Sequence, residues 1–324
     1  FKMYKTNKTI QAELSKVQAT IKKELTSEKI IQEIYEYIFN TEGKKTRALI
    51  SLLASKSSNV KSTKRIELAS VIELLHTATL VHDDVVDESE KRRGTKSVNQ
   101  VWSNSYSVLI GDFIYSKAFI LMVKLNMSAV LDELAKATND IAKGEIIQLE
   151  LFENKQSIKL KDLLKVSYLK TGRLFEASAK TGAMLANISA DEIKTFGLLG
   201  KAIGIAFQIQ DDLLDYEAFK LNTGKPSLKD FREGKITFPL YFAMQNAQPK
   251  DKEFLLKHLG SEKISQIHQA KIYKLIQSEA SQKATKTLLK KYINEANKYL
   301  ESLKHHASYN EMLNLITVST TRKI

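Results

Sequence analysis

The run Leu74-Leu75-His76-Thr77-Ala78-Thr79-Leu80-Val81-His82-Asp83-Asp84-Val85-Val86-Asp87 carries an apolar helical period directly into an aspartate triplet. A second run, Phe207-Gln208-Ile209-Gln210-Asp211-Asp212-Leu213-Leu214-Asp215, repeats the triplet with the same spacing. On an α-helix, residues four apart lie one above the other. Asp83 and Asp87 therefore share a face, as do Asp211 and Asp215. Two such faces turned toward each other would repel by about 4 kcal/mol per close pair at an effective dielectric of about 20. A cation must fill that space. Hard oxygen ligands with room for water suit Mg²⁺, which usually binds about one or two carboxylates together with substrate phosphates. The pair of triplets points to diphosphate chemistry. Solvated acidic helix ends are the ordinary alternative for one such triplet, but they seldom repeat a five-residue pattern behind a strongly apolar run.

Working outward, Ile72, His76, Thr79, Asp83 and Asp87 fall within about 40° of one line on the helical wheel, so His76 shares the carboxylate face two turns deeper. Gly197, Gly200 and Gly204 lie beneath Asp211 in the same way. They read either as close helix packing or as room for a long ligand. Basic groups cluster at Gly43-Lys44-Lys45-Thr46-Arg47, Arg92-Arg93, Lys170-Thr171-Gly172-Arg173, Thr223-Gly224-Lys225-Pro226 and Arg232-Glu233-Gly234-Lys235. Arginine forks match phosphate oxygens, and a helix start adds backbone N–H groups that favour anions. Together with the acidic triplets, these clusters describe a site for two diphosphates, one held through Mg²⁺ and one by Lys and Arg directly.

Composition narrows the alternatives. The chain has 324 residues, is 43% hydrophobic, and holds only 3 Pro and 12 Gly with no Pro-rich or Gly/Ser-rich linker, so it reads as a single domain over 1–324. The motif-bearing core is about 28–245, followed by C-terminal helices over 251–304 and a tail over 305–324. Cysteine is absent, which removes disulfides, thiolate metal sites and a cysteine nucleophile and fits a reducing, cytoplasmic setting. The net charge of +13 makes nucleic acid the default partner to consider. The lysines are scattered, however, and no zinc-finger or RNA-binding signature is present, so no nucleic-acid partner is expected. The most apolar window, Tyr106 to Val123, is interrupted by Asp112 and Lys117, which argues against a spanning helix.

Apolar residues recur at three and four almost throughout. The periodicity predicts helices over 8–26, 28–40, 44–57, 63–88, 106–125, 129–154, 160–186, 190–219, 236–247, 251–259, 263–277 and 279–304. Breaks are expected at Arg93-Gly94-Thr95 and from Asn222 to Gly234. Ser62-Thr63 and Ser189-Ala190-Asp191-Glu192 read as helix starts. The fold class is all-α, a helical bundle around a deep central cavity.

These residues closely resemble the trans-isoprenyl diphosphate synthase, or polyprenyl synthetase, family from Gly43 to Pro239. The first triplet with Arg92-Arg93-Gly94, then Gly111-Asp112-Phe113, the second triplet, and Gly234-Lys235-Ile236-Thr237-Phe238-Pro239-Leu240 follow the family's order and spacing. The resemblance implies an all-α homodimer that condenses isopentenyl diphosphate onto an allylic diphosphate, with Mg²⁺ as cofactor. Residue by residue, it implies Asp83, Asp87 and Asp211 as Mg²⁺ ligands supported by Asp84, Asp212 and Asp215. It implies Lys44, Arg47, His76 and Arg93 for isopentenyl diphosphate, and Arg92, Lys170, Lys225 and Lys235 for the allylic diphosphate. Thr171 and Gln208, with Lys170, would line the developing carbocation. A peripheral membrane contact for product release is a further expectation. Two segments depart from the family pattern: Glu42-Gly43-Lys44-Lys45-Thr46-Arg47-Ala48 stands where the family usually reads Gly-Gly-Lys-Arg-x-Arg-Pro, and Leu228 replaces a glycine before Asp230.

In this family, bulk four and five residues before the first aspartate limits product length. Here those positions hold Ala78 and Thr79, both small, with Thr79 directly below Asp83. That pattern resembles the long-chain bacterial type, whose products of about C40 become quinone side chains, and leaves Phe119, Met122 and Leu134 as candidate floors of the tunnel. A shorter, geranylgeranyl-type synthase shares all of this chemistry. A class I terpene cyclase would carry an Asn/Ser/Glu metal motif in the second position, and a non-catalytic partner subunit would lose aspartates. Neither departure is seen here.

Overall fold

The computed structural model describes residues 8–25, 28–40, 43–57, 60–92, 94–153, 155, 157–221, 228–261 and 263–320. Its helices are α1 (Lys8–Leu25), α2 (Lys29–Asn40), α3 (Thr46–Ala54), α4 (Ser62–Val86), α5 (Val98–Val101), α6 (Asn104–Lys124), α7 (Ser128–Glu153) and α8 (Leu160–Ser167). A π-helical turn, Tyr168–Gly172, leads into α9 (Arg173–Ala186) and α10 (Ala190–Leu221). Then come α11 (Lys229–Arg232), α12 (Phe238–Asn246), α13 (Pro249–His258), α14 (Gln266–Ile276), α15 (Glu279–Glu301) and α16 (Tyr309–Thr320). Among the described residues the only sheet is a two-residue hairpin, β1 (Lys91–Arg92) against β2 (Thr95–Lys96), with Lys91 opposite Lys96 and Arg92 opposite Thr95. The all-α class read from the periodicity holds.

The chain forms two compact units, 1–138 with 174–200 and 302–314, and 139–173 with 201–301 and 315–324. In the first, α4 is the spine, and α1, α3 and α6 pack against it. Its apolar side chains from Ile66 to Val81 are buried on nearly every face, as expected of a helix wrapped on all sides. Arg65 on α4 makes a bidentate bridge to Glu13 on α1, with N···O distances of 2.7 and 3.2 Å, and also donates to the Leu52 carbonyl. A Cβ on Gly200 would come within 2.5 Å of the Phe175 carbonyl, so this member of the glycine stripe serves close helix packing.

In the second unit, Tyr216, Leu228, Phe231, Leu240, Leu255, Ile272 and Ile276 bury one core cluster. Leu163, Ile205, Ile209, Leu213, Phe238 and Leu288 bury another. Both clusters flank the end of α10 that carries the second aspartate triplet.

Most expected helices appear within a few residues. The span 160–186 is broken by the π-helical turn. The expected break after the first triplet is the β1–β2 hairpin, where Gly94 takes φ +84, a conformation available to glycine at little cost. The 305–324 tail contains α16, whose buried Met312, Leu315, Ile316 and Ser319 have helical spacing. Ser189 and Glu192 form the reciprocal bonds of a capping box. Ser62 does not cap α4, because it already lies inside the helix with Lys61 at the N-cap.

Candidate active site

In the first unit, α4 delivers Asp83, Asp84 and Asp87 at its C-terminal end. Asp87 is the C-cap, and its N–H still bonds the Asp83 carbonyl at 2.8 Å, so the two carboxylates keep their shared face. Asp84 points inward and is only 2% exposed. Its Oδ2 accepts from Arg92 Nε at 2.7 Å, while its Oδ1 is buried with no hydrogen-bond partner. Arg92 is thus held by the triplet itself, through the hairpin that follows it. Arg93 and Lys225 lie outside the described residues, as does Glu42.

The basic group forms two turns deeper. Arg47 Nη1 lies 3.0 Å from His76 Nε2. Guanidinium only donates, so His76 accepts there and carries its proton on Nδ1. The Arg47 guanidinium also stacks 4.6 Å from the Phe175 ring centroid. Lys45, at one of the departures from the family pattern, takes the left-handed conformation (φ 46, ψ 37) as N-cap of α3. Lys44 beside it is exposed. Ala78 is fully buried and Thr79 half-buried, with the Thr79 hydroxyl donating to the His76 carbonyl at 2.7 Å. Met122 and Leu134 are buried, whereas Phe119 is 40% exposed and stands on the outer side of α6. Gly111 is needed for a nearby contact: a Cβ there would meet the His82 ring at 2.2 Å.

The second unit gathers its residues around a cavity of about 170 Å³ lined by Gln148, Lys170, Gln208, Asp212, Asp230 and Lys235 among others. The π-helical turn presents Lys170 and Thr171. Single π turns inside helices recur at functional sites. Thr171 Oγ1 donates to Gln208 Oε1 at 2.7 Å, Gln208 Nε2 donates to Asp212 Oδ1 at 2.8 Å, and Phe238 N–H donates to Asp212 Oδ2 at 3.0 Å. Lys170 Nζ reaches Gln148 Oε1 at 3.0 Å and Glu145 Oε2 at 2.6 Å. Gly144 permits this approach, since a Cβ there would stand 2.7 Å from Leu169 Cβ and 3.1 Å from the Lys170 nitrogen. Lys235 pairs with Glu233 at 2.8 Å. Leu228, the other departure, is 1% exposed and belongs to the core beside Tyr216 and Phe231, so it anchors the start of α11 by burial.

Burial pushes the Asp212 carboxyl up to about 8. Charge from Asp230, and less so from Asp211, adds to that, while the Phe238 N–H and the Gln208 amide pull it down. A carboxyl in this state is short of positive charge. Its hard oxygens fit a divalent cation such as Mg²⁺, and in the first unit the unpartnered Oδ1 of Asp84 is of the same hard-oxygen type. Among the described residues no three Asp, Glu or His side chains converge as a preformed cation site.

Glu145, Gln148 and Tyr216 were not singled out by the sequence reading. The only signal was Gly144-Glu145 followed three residues later by Gln148, a glycine and two polar groups on one helical face.

The polyprenyl synthetase family model matches residues 28–276. Octaprenyl diphosphate synthase of Escherichia coli (strain K12) is 39% identical over 252 residues, 78% of this chain and 78% of that protein. A crystal structure of a decaprenyl diphosphate synthase from Rhodobacter capsulatus superposes with TM-score 0.90 at 31% identity, covering 97% of this chain and 98% of that one. Geranylgeranyl pyrophosphate synthetase from Pyrococcus horikoshii Ot3 superposes with TM-score 0.87 at 30% identity, covering 97% and 98%. On the family model over most of its length and on these relatives, the chain belongs to the polyprenyl synthetase family and is a prenyltransferase.

Proposed function

We propose that the protein condenses isopentenyl diphosphate with an allylic diphosphate, farnesyl diphosphate for preference, to a long-chain all-trans polyprenyl diphosphate near C40. The product would serve as a quinone side chain. The observation that carries this reading is the second-unit cavity, where a cation-seeking carboxyl, Asp212, shares one lining with Lys170 and Lys235. Acid and base together suit a diphosphate with its metal.

In this reading Asp83, Asp87 and Asp211 are the residues that would hold Mg²⁺, as the family resemblance implies. When bound, Mg²⁺ neutralises the leaving diphosphate and templates its departure. Lys170, Lys235, Lys225 and Arg92 bind and orient that diphosphate. Lys44, Arg47, Arg93 and His76 hold isopentenyl diphosphate so that its double bond meets the allylic carbon. Gln208 and Thr171 present oxygen dipoles to the developing allylic cation, and the Asp212 bond fixes the amide's orientation. The double bond attacks, and the proton then lost goes to the departed diphosphate. Positioning and fixed electrostatics supply most of the rate, and no protein nucleophile is used. Thr79 borders the path of the growing chain.

The apolar outer side of α6, with Leu109 66% and Val123 65% exposed, supports a homodimer, because monomers rarely leave such stripes bare. By length and composition α6 could also cross a membrane. Its buried residues, from Ser107 to Met122, recur at helical spacing, which supports a core helix with one apolar side free for a partner. The +13 charge supports a peripheral contact with anionic lipid during product release, and the absence of cysteine supports a cytoplasmic setting.

The test is incorporation of labelled isopentenyl diphosphate into organic-extractable product. Incorporation is expected only with both farnesyl diphosphate and Mg²⁺ present, and abolished by a chelator. Incorporation that survives the chelator, or none with both present, contradicts the proposal.

A further inference from the structure

The segment Gly234–Phe238 carries Lys235 into the cavity and ends at the start of α12. Thr237 is the N-cap of α12, yet its hydroxyl makes no capping bond within its own helix. A threonine at this position ordinarily accepts, through its side-chain oxygen, a hydrogen bond from the second or third N–H, and losing that bond costs about 1 kcal/mol. Here the hydroxyl lies 2.9 Å from the Tyr216 hydroxyl. Both groups are buried, Tyr216 completely.

The first helical N–H of α12, that of Phe238, goes to Asp212. Asp212 and Tyr216 are four apart on α10 and so stand on one face. Successive turns of α10 therefore grip successive residues of one segment, Asp212 holding Phe238 and Tyr216 holding Thr237. Two residues earlier, Lys235 is fixed by its own backbone N–H to the Asp230 carbonyl at 2.7 Å. Gly234 at φ +74 leaves no room for a Cβ, which would meet Phe152 at 2.5 Å.

We infer that Tyr216 is a positioning residue of the diphosphate site: through Thr237 it sets where Phe238 N–H meets Asp212 and where Lys235 enters the cavity. Tyr216 itself is fully buried and is not part of the cavity lining. The capping bond that Thr237 forgoes is the sign that this tie serves placement as well as packing. The inference rests on the prenyl-transfer reading for its kinetic consequence, but not for its binding consequence.

The experiment compares wild type, Tyr216→Phe, Thr237→Val and the double variant. The readouts are Mg²⁺-dependent binding of inorganic pyrophosphate by calorimetry, steady-state kinetics with farnesyl diphosphate, and melting temperature. Either single variant should weaken pyrophosphate binding and raise KM for farnesyl diphosphate roughly three- to tenfold, the scale of one hydrogen bond, with kcat nearly unchanged. The double variant leaves no orphaned hydroxyl, so its melting temperature should recover while KM and pyrophosphate affinity do not. Recovery of all three together would reduce the tie to a structural role and overturn the inference, as would single variants with wild-type KM and pyrophosphate affinity. If wild type binds pyrophosphate but fails to elongate, the functional reading falls, and calorimetry on the variants still decides the positioning role.

Discussion

At the scale of single residues, the acidic side chains differ in kind. Asp83, Asp87 and Asp211 are half-buried on helix faces, whereas Asp84 and Asp212 are buried and hydrogen-bonded. The first group is partly open to solvent, as ligands to an ion that keeps its waters must be, and in the second Asp84 orients Arg92 while Asp212 orients Gln208. Asp83→Ala or Asp211→Ala should lower kcat about 10²- to 10³-fold, the cost of removing one preorganised electrostatic group, with the melting temperature nearly unchanged. A variant that keeps wild-type turnover would remove that aspartate from the site. Thr79 is the partly accessible one of the two small residues below the first triplet, and its hydroxyl bonds only its own helix. Thr79→Phe should therefore shorten the largest product by several isoprene units without orphaning a donor; an unchanged product ladder would move the chain path elsewhere. The triplets and Thr171–Gln208 were legible in the sequence because each sits in a spaced motif. Tyr216 was not, because a lone tyrosine in an apolar run carries no sign of what its hydroxyl reaches 21 residues further along the chain.

At the scale of elements, helix periodicity predicts most of the helices from α1 to α15 within a few residues. It missed the π-helical turn, whose extra residue per turn leaves no mark in the pattern, and it joined α8 to α9 as one span. It also left α16 unassigned, although Met312, Leu315 and Ile316 repeat at helical spacing. The segment leading into α16 docks in the first unit through two histidines. His305 Nε2 lies 2.7 Å from Glu192. Hydrogen bonds from Ser189 and then His305 hold the Glu192 carboxyl down to about 2. His306 packs edge-on against Phe196 at 4.9 Å, and its pKa is lowered, chiefly by burial and next by His305, with Glu192 opposing. A histidine lowered in the fold stays neutral there while the unfolded chain takes up a proton. Its share of stability is therefore present above the unfolded value of 6.5 and is lost as pH falls below it, by at most about 1.4 kcal/mol per pH unit for one proton. Amide exchange over 302–314, corrected for intrinsic rates, should be faster at pH 5.5 than at 7.5, and His306→Gln should flatten the difference. Slower exchange at the lower pH would reverse the assignment.

At the scale of the whole molecule, the all-α class followed from the sequence because strand-like alternation is rare throughout and the apolar runs are long. The division into two compact units did not, because no change of composition or Pro/Gly-rich linker marks it. The units interleave along the chain, so contacts between distant stretches define them. The apolar side of α6 was legible only as a hydrophobic window, since its inward and outward residues are equally apolar. Leu109→Glu with Val123→Glu should leave the helix content intact and halve the mass found by light scattering. A wild-type protein that is already monomeric would contradict the homodimer.

The central claim is chain elongation to a long product, and mass spectrometry of the products from farnesyl diphosphate, isopentenyl diphosphate and Mg²⁺ tests it most directly. The account predicts a ladder of five-carbon steps ending near C40. An endpoint at C20 would contradict the open path past Ala78 and Thr79, and the absence of any elongation would contradict the prenyl-transfer assignment itself.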